Sequence, residues 1–459
     1  MLDPRLSQLS GPRRREFLKW SATVAALLGL ERARFLDVLS STSGSAMADE
    51  GACSKTSKSV HLVAGNGGLA WFTQLFPYVN VAKAGGGTVS FYGNTADVKD
   101  APTDMPSVYG KYSPFQTLGK DKQMTMFVAG VNQTHTNTPN TGLQLGNNGL
   151  IASIASIQTI NPTLLPVMAI NPFVFGTAPG APAVATVANP AGLVDLFNSA
   201  ASKTLLLDPK NAALSEAYYK AFLQLNAAAP RTSTVKTYNT GKVAANLLGK
   251  NLADQLKVQP ADEARYGIGA GTPTNVMEIA HGFIIAIKAF KLGLTSSLIM
   301  PAMRDDPHGA FQNMTSLTNT VMMLGKIFDA FLADALATPD PSCQNKTLGD
   351  NLVFTITGDT PKTALDRDGW GDGTESNHNV VYAFGNGHLK TGWFGDLALN
   401  KTVSTWDPTT GRPVPGGNSA QMGTPAAAAI AFAVSKGDAR RIQDFGVSVP
   451  DGPVNKTLM

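Results

Sequence analysis

The sequence predicts an α/β protein with a largely parallel β-sheet sandwiched by helices. Three observations lead to this prediction. The chain has 459 residues, of which 43% are hydrophobic, which is enough for a large buried core. Short apolar runs alternate with longer segments of helical periodicity, as in sheets that are covered by helices on both sides. The sequence shows no internal repeat and no low-complexity linker, so most of it is expected to form one domain.

Six short apolar runs predict the strands of the sheet. Each is six to eight residues long, and the runs are near-continuous rather than alternating, which is typical of strands buried on both faces. In chain order they are SVHLVAG at 59–65, MTMFVAGV at 124–131, LLPVMAI at 164–170, LTSSLIMP at 294–301, NLVFTIT at 351–357 and NVVYAF at 379–384.

Four segments predict helices by their apolar spacing. In the segment at 275–293, Val276, Ile279 and Phe283 recur three and four residues apart, and Gly293 ends the pattern. The other three helices are predicted from Pro209 to about 229, over 315–337, and in an Ala-rich segment that begins near Pro425. Residues 172–260 are interpreted as a helical excursion or subdomain within one domain that spans 49–459.

The N-terminus predicts an export signal. A positive cluster precedes a short apolar run from Trp20 to Leu30, which is about 11 residues against the roughly 20 that a membrane-spanning helix needs. The run RREFLK at 14–19 resembles a twin-arginine signal, which implies the twin-arginine export machinery as a partner. Ala46 and Ala48 form a small-x-small cleavage site, so 1–48 is the predicted leader. The mature protein is then periplasmic or secreted, and no later run is long enough to span a membrane.

Charge and cysteine content narrow the class of protein further. The net charge is +4, and the seven basic and four acidic residues of the leader account for +3 of it. Residues 49–459 have no cluster of basic residues, which excludes a nucleic-acid-binding surface. Cys53 and Cys343 are the two cysteines. In an exported protein they either form a disulfide or remain two free thiols, and they are too few for a zinc site built on thiolates.

Polar residues at the ends of the predicted strands are the candidate metal ligands. In open α/β sheets, ligands bind beyond the carboxyl ends of the strands. Carboxylate and imidazole groups from several strands suit a divalent metal such as zinc or manganese. The candidates are Asp306 and His308 after the fourth run, Asp359 after the fifth, His135 after the second, and His378 just before the sixth. The alternative is a polar turn in which Asp306 caps a helix and His308 lies on the surface.

The order of these clusters resembles an exported family, the domain-of-unknown-function family 1501. The matching stretches include LVAGNGGLAWF, GVNQTHTNTPNTG, MRDDPHGAF, FTITGDTPK and NHNVVYAFGNGHLKTGWFG. Asp306-Pro307-His308-Gly309 stands where that family has Trp-Asp-Thr-His-Gly, and Thr360-Pro361 and Asn377-His378 match two further elements. The resemblance implies an alkaline-phosphatase or sulfatase-like fold. It also implies that Asp306, His308 and His378 hold one cation and that Asp359 lies near a second metal site, which is degenerate in this sequence.

Two functions follow from this resemblance. The first is a metal-dependent hydrolase of small phosphate or sulfate esters, with Thr134 or Thr360 as the nucleophile that the metal activates. The second is a non-catalytic binding or assembly protein of the cell envelope. Many relatives carry an Asp near the N-terminus where this sequence has Gly67, so one carboxylate ligand is missing, which favours the second function.

Overall fold

The fold is known from a computed structural model that describes residues 53–64, 73–84, 97–133, 143–161, 163–171, 175–196, 252–303, 313–358, 363–365 and 373–456. The strands in these ranges are β1 (Lys58–Ala64), β2 (Val98–Asp100), β3 (Val108–Gly110), β4 (Thr125–Val131), β5 (Gln144–Leu145), β6 (Asn148–Gly149), β7 (Val167–Ile170), β8 (Val184–Val187), β9 (Ser297–Met303), β10 (Leu352–Gly358), β11 (His378–Phe384), β12 (Gly392–Phe394), β13 (Asp396–Leu397), β14 (Val403–Trp406) and β15 (Pro413–Pro415).

The helices pack around this framework and alternate with the strands along the chain. They are α1 (Val79–Ala84), α2 (Leu150–Gln158), α3 (Pro190–Asp195), α4 (Leu252–Leu256), α5 (Pro260–Arg265), α6 (Thr274–Lys291), α7 (Met314–Ala337), α8 (Gly423–Val434) and α9 (Arg440–Gln443). Across the described part of the chain, none of these helices combines the length and the apolar character that a membrane span requires.

The described strands build a central sheet of eight strands in the order β12-β4-β11-β10-β1-β9-β7-β8. All neighbours run parallel except β11, which is antiparallel to both β10 and β4. The α/β class with a largely parallel sheet is therefore confirmed. Strands β1, β4, β7, β9 and β10 all end at one edge of the sheet, which we call the carboxyl edge. The reversed strand β11 begins at that same edge.

All six predicted strands are present in this sheet. The sixth begins at His378, one residue earlier than predicted, so that this histidine belongs to the strand. Strand β8 lies within the stretch interpreted as an excursion, and it extends the sheet by pairing with β7. The helix predicted from Pro209 and most of the proposed subdomain at 172–260 lie outside the described residues.

Two helical layers cover the two faces of the sheet. On one face, α6 and α7 contribute Phe283 and Phe331, whose rings stack with centroids 4.2 Å apart, and Phe328 lies 4.7 Å from Phe354 of β10. On the other face α8 is apolar all round and almost entirely buried. Its alanines let the helix backbone approach the sheet closely, which explains why a helix with so little side-chain volume belongs to the core.

A polar network crosses the buried sheet at His61 of β1. Its Nδ1 lies 2.7 Å from Thr355 Oγ1 and its Nε2 lies 3.0 Å from Ser59 Oγ. Gln158 of α2 donates to the same serine hydroxyl. Burial lowers the pKa of His61 to about 3, so the ring is neutral in the folded protein.

The opposite edge of the sheet, which we call the amino edge, carries the covalent and ionic anchors. Cys53 and Cys343 form a disulfide there. Nearby, Lys58 Nζ lies 2.7 Å from a carboxylate oxygen of the buried Asp340. The second oxygen of that carboxylate accepts a hydrogen bond from Asn351 Nδ2 at 2.7 Å. The buried charge of Asp340 is therefore both paired and hydrogen-bonded, as a buried ion pair requires.

Candidate functional site

The carboxyl edge brings together the strand ends that border the predicted site residues. Ala64, the last residue of β1, pairs with Gly358 of β10 and with Met303 of β9. On the other side of β10, His378 of β11 pairs with Val131, the last residue of β4. The predicted residues Thr134, His135, Asp306, His308, Asp359 and Thr360 follow these ends in the sequence and lie outside the described residues.

The order of the strands sets the distance between the strand ends that adjoin the candidate ligands. Asp359 directly follows β10, the neighbour of the strand that begins with His378. Asp306 and His308 follow β9, which is separated from β11 by β1 and β10. Three strand spacings of about 4.8 Å amount to roughly 14 Å. A site that combines all of these residues therefore requires the chain after Met303 to run back across the ends of two strands.

His378 is the predicted ligand whose geometry the structure describes. Its side chain is fully buried, and both ring nitrogens have partners. Nδ1 lies 2.5 Å from the backbone carbonyl oxygen of Glu375, which only accepts, so Nδ1 carries the proton. Nε2 is then the nitrogen with a lone pair, and it accepts a hydrogen bond from the Tyr78 hydroxyl at 2.5 Å. Burial lowers the pKa of His378 to about 4, so the ring is neutral at neutral pH.

The hydrogen bond at Nδ1 favours metal binding by His378, whereas the hydrogen bond at Nε2 opposes it. Histidine ligands commonly donate one N–H to a carbonyl, which fixes the tautomer and leaves the other nitrogen for the cation. His378 has that orientation. The lone pair of Nε2, however, is already engaged by the proton of Tyr78, so a cation at Nε2 would have to displace that hydrogen bond.

Tyr78 is a residue of this edge that the sequence analysis did not identify. It is fully buried, and burial, together with Glu375 and Asp396, raises its pKa, so the hydroxyl keeps its proton and acts as the donor. The segment that leads to it is fixed by side chains of β11 and β12. Tyr382 donates to the carbonyl of Leu75, and Trp393 Nε1 donates to that of Phe76 at 2.8 Å. No sequence pattern indicates this pair, because Tyr78 and His378 are 300 residues apart.

The backbone around this edge adopts unusual conformations. Ser376 and Asn377, directly before His378, both have positive φ angles, of 53° and 54°. Gly358 at the end of β10 has a φ of 114°, and a Cβ there would lie 2.5 Å from the carbonyl oxygen of Ala64. Positive φ values at non-glycine residues carry a conformational cost that tends to concentrate at functional sites. Five other non-glycine residues of the described ranges also have positive φ, so this backbone fixes the entry to β11 without by itself marking a binding site.

Two oxygen atoms near the carboxyl edge lack hydrogen-bond partners among the described residues. They are the hydroxyl of Thr357, which is 3% exposed, and one carboxylate oxygen of Glu375. Burial raises the pKa of the Glu375 carboxyl. Thr357 lies near the end of β10, the strand that precedes Asp359 in the sequence, and Glu375 lies just before β11, the strand that follows it. This part of the edge therefore offers two acceptor oxygens, one on each side of the segment that contains Asp359.

A small apolar cleft opens further along the same edge. After β7 the chain passes to β8, which lies at the outer edge of the sheet. After β9 it passes through α7 to β10, which lies on the opposite side of β9 in the sheet. The ends of β7 and β9 thus form a topological switch point, where open α/β sheets bind ligands. The cleft is lined by Ile170, Ile279, Met300 and Pro301, with Asn275 and Glu278 of α6 as polar groups.

Within the ranges that the structure describes, no group of three or more His, Cys, Asp or Glu side chains is placed to hold a metal ion. A metal at the carboxyl edge therefore depends on the residues that follow the strand ends. Comparison of the chain with protein-family models, with curated proteins and with solved structures found no match in any of the three.

Proposed function

We propose that the protein is an exported, metal-dependent hydrolase of phosphate or sulfate esters on an alkaline-phosphatase-like version of the α/β fold. One observation supports this proposal above the others. The strand ends that precede Asp306, Asp359 and His135 share the carboxyl edge with His378, a neutral histidine whose tautomer leaves Nε2 unprotonated. These are the residue types that bind zinc or manganese.

Each residue has a role in this proposal. Asp306, His308 and His378 hold one divalent cation, Asp359 lies near a degenerate second metal site, and His135 is a further candidate ligand. Such a cation keeps the carboxylates ionised and polarises the oxygens of the ester. Thr134 or Thr360 supplies the hydroxyl nucleophile.

The location outside the cytoplasm is part of the same proposal. The disulfide between Cys53 and Cys343 fits an oxidising compartment, where such bonds persist. Both cysteines lie after the predicted cleavage site at Ala48, so the bridge would remain in the mature protein. The periplasm or the extracellular medium, reached by the twin-arginine route, is the location that agrees with these features.

The alternative is a non-catalytic binding or assembly protein of the cell envelope with the same fold. The burial of His378 favours it, because its Nε2 already accepts the Tyr78 hydrogen bond. The absence of a carboxylate at Gly67 favours it as well.

Metal analysis of the exported protein separates the two functions. The wild type is purified after export from its own host, alongside His308→Ala, His378→Ala and the control His281→Ala. His281 lies on α6 and contacts Glu263, away from the strand ends. We expect stoichiometric zinc, manganese or iron in the wild type and the control, and its loss in His308→Ala. Aryl phosphates and aryl sulfates then test turnover.

Two results would decide against the hydrolase. A wild-type protein without bound metal contradicts it directly. Bound metal without turnover of either ester class supports the envelope binding protein instead.

A further inference from the structure

The two cysteines of the disulfide differ in their access to solvent. Cys53 is exposed, whereas Cys343 is only 4% exposed. An external thiol must approach in line with the S–S bond and attack one of the two sulfur atoms. Because residue 53 is the more exposed of the two, its sulfur is the expected point of attack.

Contacts other than the disulfide hold both cysteines in place. Cys343 lies in a loop closed by its own backbone hydrogen bonds, from Asp340 N to Lys346 O at 2.8 Å and from Leu348 N to Thr338 O at 2.8 Å. The residue after Cys53 donates its amide to the residue before Cys343, with Ser54 N lying 2.9 Å from Ser342 O. The folded chain is therefore expected to keep the two sulfur atoms close even when they are reduced.

Lysine side chains bind the residues next to the two cysteines. Lys436 Nζ donates to the carbonyl of Ser54 at 2.8 Å, and Lys58 Nζ donates to the hydroxyl of Ser342 at 3.0 Å. Burial lowers the pKa of Lys436 to about 8, the carboxylate of Asp340 acts to raise it, and the charges of Lys58 and Lys346 lower it further. Lys58 is paired with Asp340, so the charges of Lys436 and Lys346 are the ones that remain to stabilise a thiolate at Cys343. A stabilised thiolate is a better leaving group in disulfide exchange.

We propose that Cys53–Cys343 is an exchangeable disulfide that opens and closes on the folded protein, with Cys53 as the sulfur attacked and Cys343 as the leaving thiolate. Residues 53–57, which we call the strap, are then joined covalently to Cys343 only while the bridge is closed, and thiols in the surroundings control whether it is closed. The proposal is independent of the hydrolase.

The exchange is a balanced thiol–disulfide reaction with a small thiol such as glutathione. The glutathione thiolate forms a bond to Cys53 Sγ, the bond between Cys53 and Cys343 breaks, and its electron pair remains on Cys343 Sγ as a thiolate. That thiolate either attacks the mixed disulfide and restores the bridge, or takes up a proton from water. A second glutathione releases Cys53 as a thiol and leaves as glutathione disulfide.

The sheet is expected to remain intact while the bridge is open. Lys58 keeps its ion pair with Asp340, and β1 keeps its pairing with β10 and β9. Hydrogen exchange therefore provides a local readout. The Ser54 amide is expected to lose part of its protection on reduction, because its hydrogen bond to Ser342 then lacks the support of the bridge. The amides of β1 from Val60 to Val63 are expected to keep theirs.

The decisive experiment exposes the native full-length chain to millimolar reduced glutathione, quenches it with acid, blocks free thiols and maps the peptides. We expect glutathione on Cys53 and a free thiol at Cys343. Glutathione mainly on Cys343, or no exchange until denaturant is added, would overturn the proposal.

A lysine variant tests the role of the positive charge. Lys436→Met is expected to slow the exchange by roughly threefold or more, because a less stabilised thiolate leaves more slowly. The control is Lys456→Met, since Lys456 pairs with Asp451 at the surface and does not contact the strap. Equal rates in the two variants would contradict the assigned role of the lysines.

Discussion

Tyr78 and His378 share one hydrogen bond that defines the protonation of both residues. The carbonyl of Glu375 requires a proton on Nδ1, so Nε2 can only accept, and Tyr78 can only donate. Aromatic contact adds to this pairing, because the two rings meet edge to face with centroids 5.5 Å apart. A buried polar pair of this kind is well defined because each member would lose its partner if the other moved.

Removal of the Tyr78 hydroxyl tests this pair. A donor to Nε2 stabilises the neutral ring, so the pKa of His378 is expected to rise in Tyr78→Phe when followed by NMR titration. The stability against urea is expected to fall by about 1–2 kcal/mol, because a buried acceptor loses its partner.

The matched control for this variant is Tyr382→Phe. Tyr382 donates to the carbonyl of Leu75 in the same segment but does not hydrogen-bond to His378. It is expected to cost stability without changing the pKa of His378. A change of equal size in both variants would show that the hydroxyl of Tyr78 has no specific effect on the histidine.

At the scale of the elements, the sequence predicted the strands that are buried on both faces. Strands β1, β9 and β10 read as continuous apolar runs because helices cover both sides of the sheet. Strand β8 was missed because its VATV sequence is short, half-buried and at the edge of the sheet. Strand β12 was missed for a similar reason, since its three residues carry no period.

The candidate site could be predicted only in part, for a physical reason. The sequence predicts which residue stands at the carboxyl end of each strand, because the direction of the chain is known. It does not predict which strands are neighbours in the sheet, since β1 pairs with β9 and β10, which lie more than 200 residues later in the sequence. The partner of His378 depends on such pairings, and Tyr78 therefore became visible only in the structure.

The end of β10 provides a test at this scale. Gly358→Ala combines a positive φ with a Cβ that would lie 2.5 Å from the carbonyl oxygen of Ala64. We expect a loss of about 2–4 kcal/mol in the free energy of unfolding, measured by urea denaturation. The exposed Gly269 has open space around it, so Gly269→Ala is expected to change stability by less than about 0.5 kcal/mol. Similar losses in both variants would contradict the close approach of β1 and β10.

At the scale of the whole molecule, buried titratable groups set the response to acid. Burial lowers the pKa of His61 to about 3 and that of His378 to about 4. The unfolded chain takes up these two protons below about pH 6.5. Their contribution to stability is therefore complete above about pH 6.5 and is lost as the pH falls toward 4 and 3.

Asp396 acts in the opposite direction. Burial raises its pKa from 3.8 to about 6. The folded protein binds this proton before the unfolded chain does, so the contribution of Asp396 is greatest at low pH and is lost as the pH rises through about 6. Burial also lowers the pKa of His388 and raises that of Glu375. Between about pH 6 and pH 4, three histidines therefore favour unfolding on acidification and two carboxyls oppose it.

We therefore expect stability to fall with decreasing pH over this range, by about 1.4 kcal/mol per pH unit for one net proton. Urea unfolding at several pH values measures this slope. Asp396→Asn is expected to make the slope steeper and His61→Gln to make it shallower. An identical slope in the wild type and in both test variants would exclude these groups as its origin.

The reversal of β11 has a consequence for how the rim of the sheet is built. A residue that follows a parallel strand belongs to a connecting loop, whereas the first residue of a reversed strand already belongs to the ladder. His378 thus combines a position at the rim with the rigidity of the framework. Any group that binds to this histidine would have to displace the Tyr78 hydroxyl from Nε2, on a ring whose position the sheet already fixes.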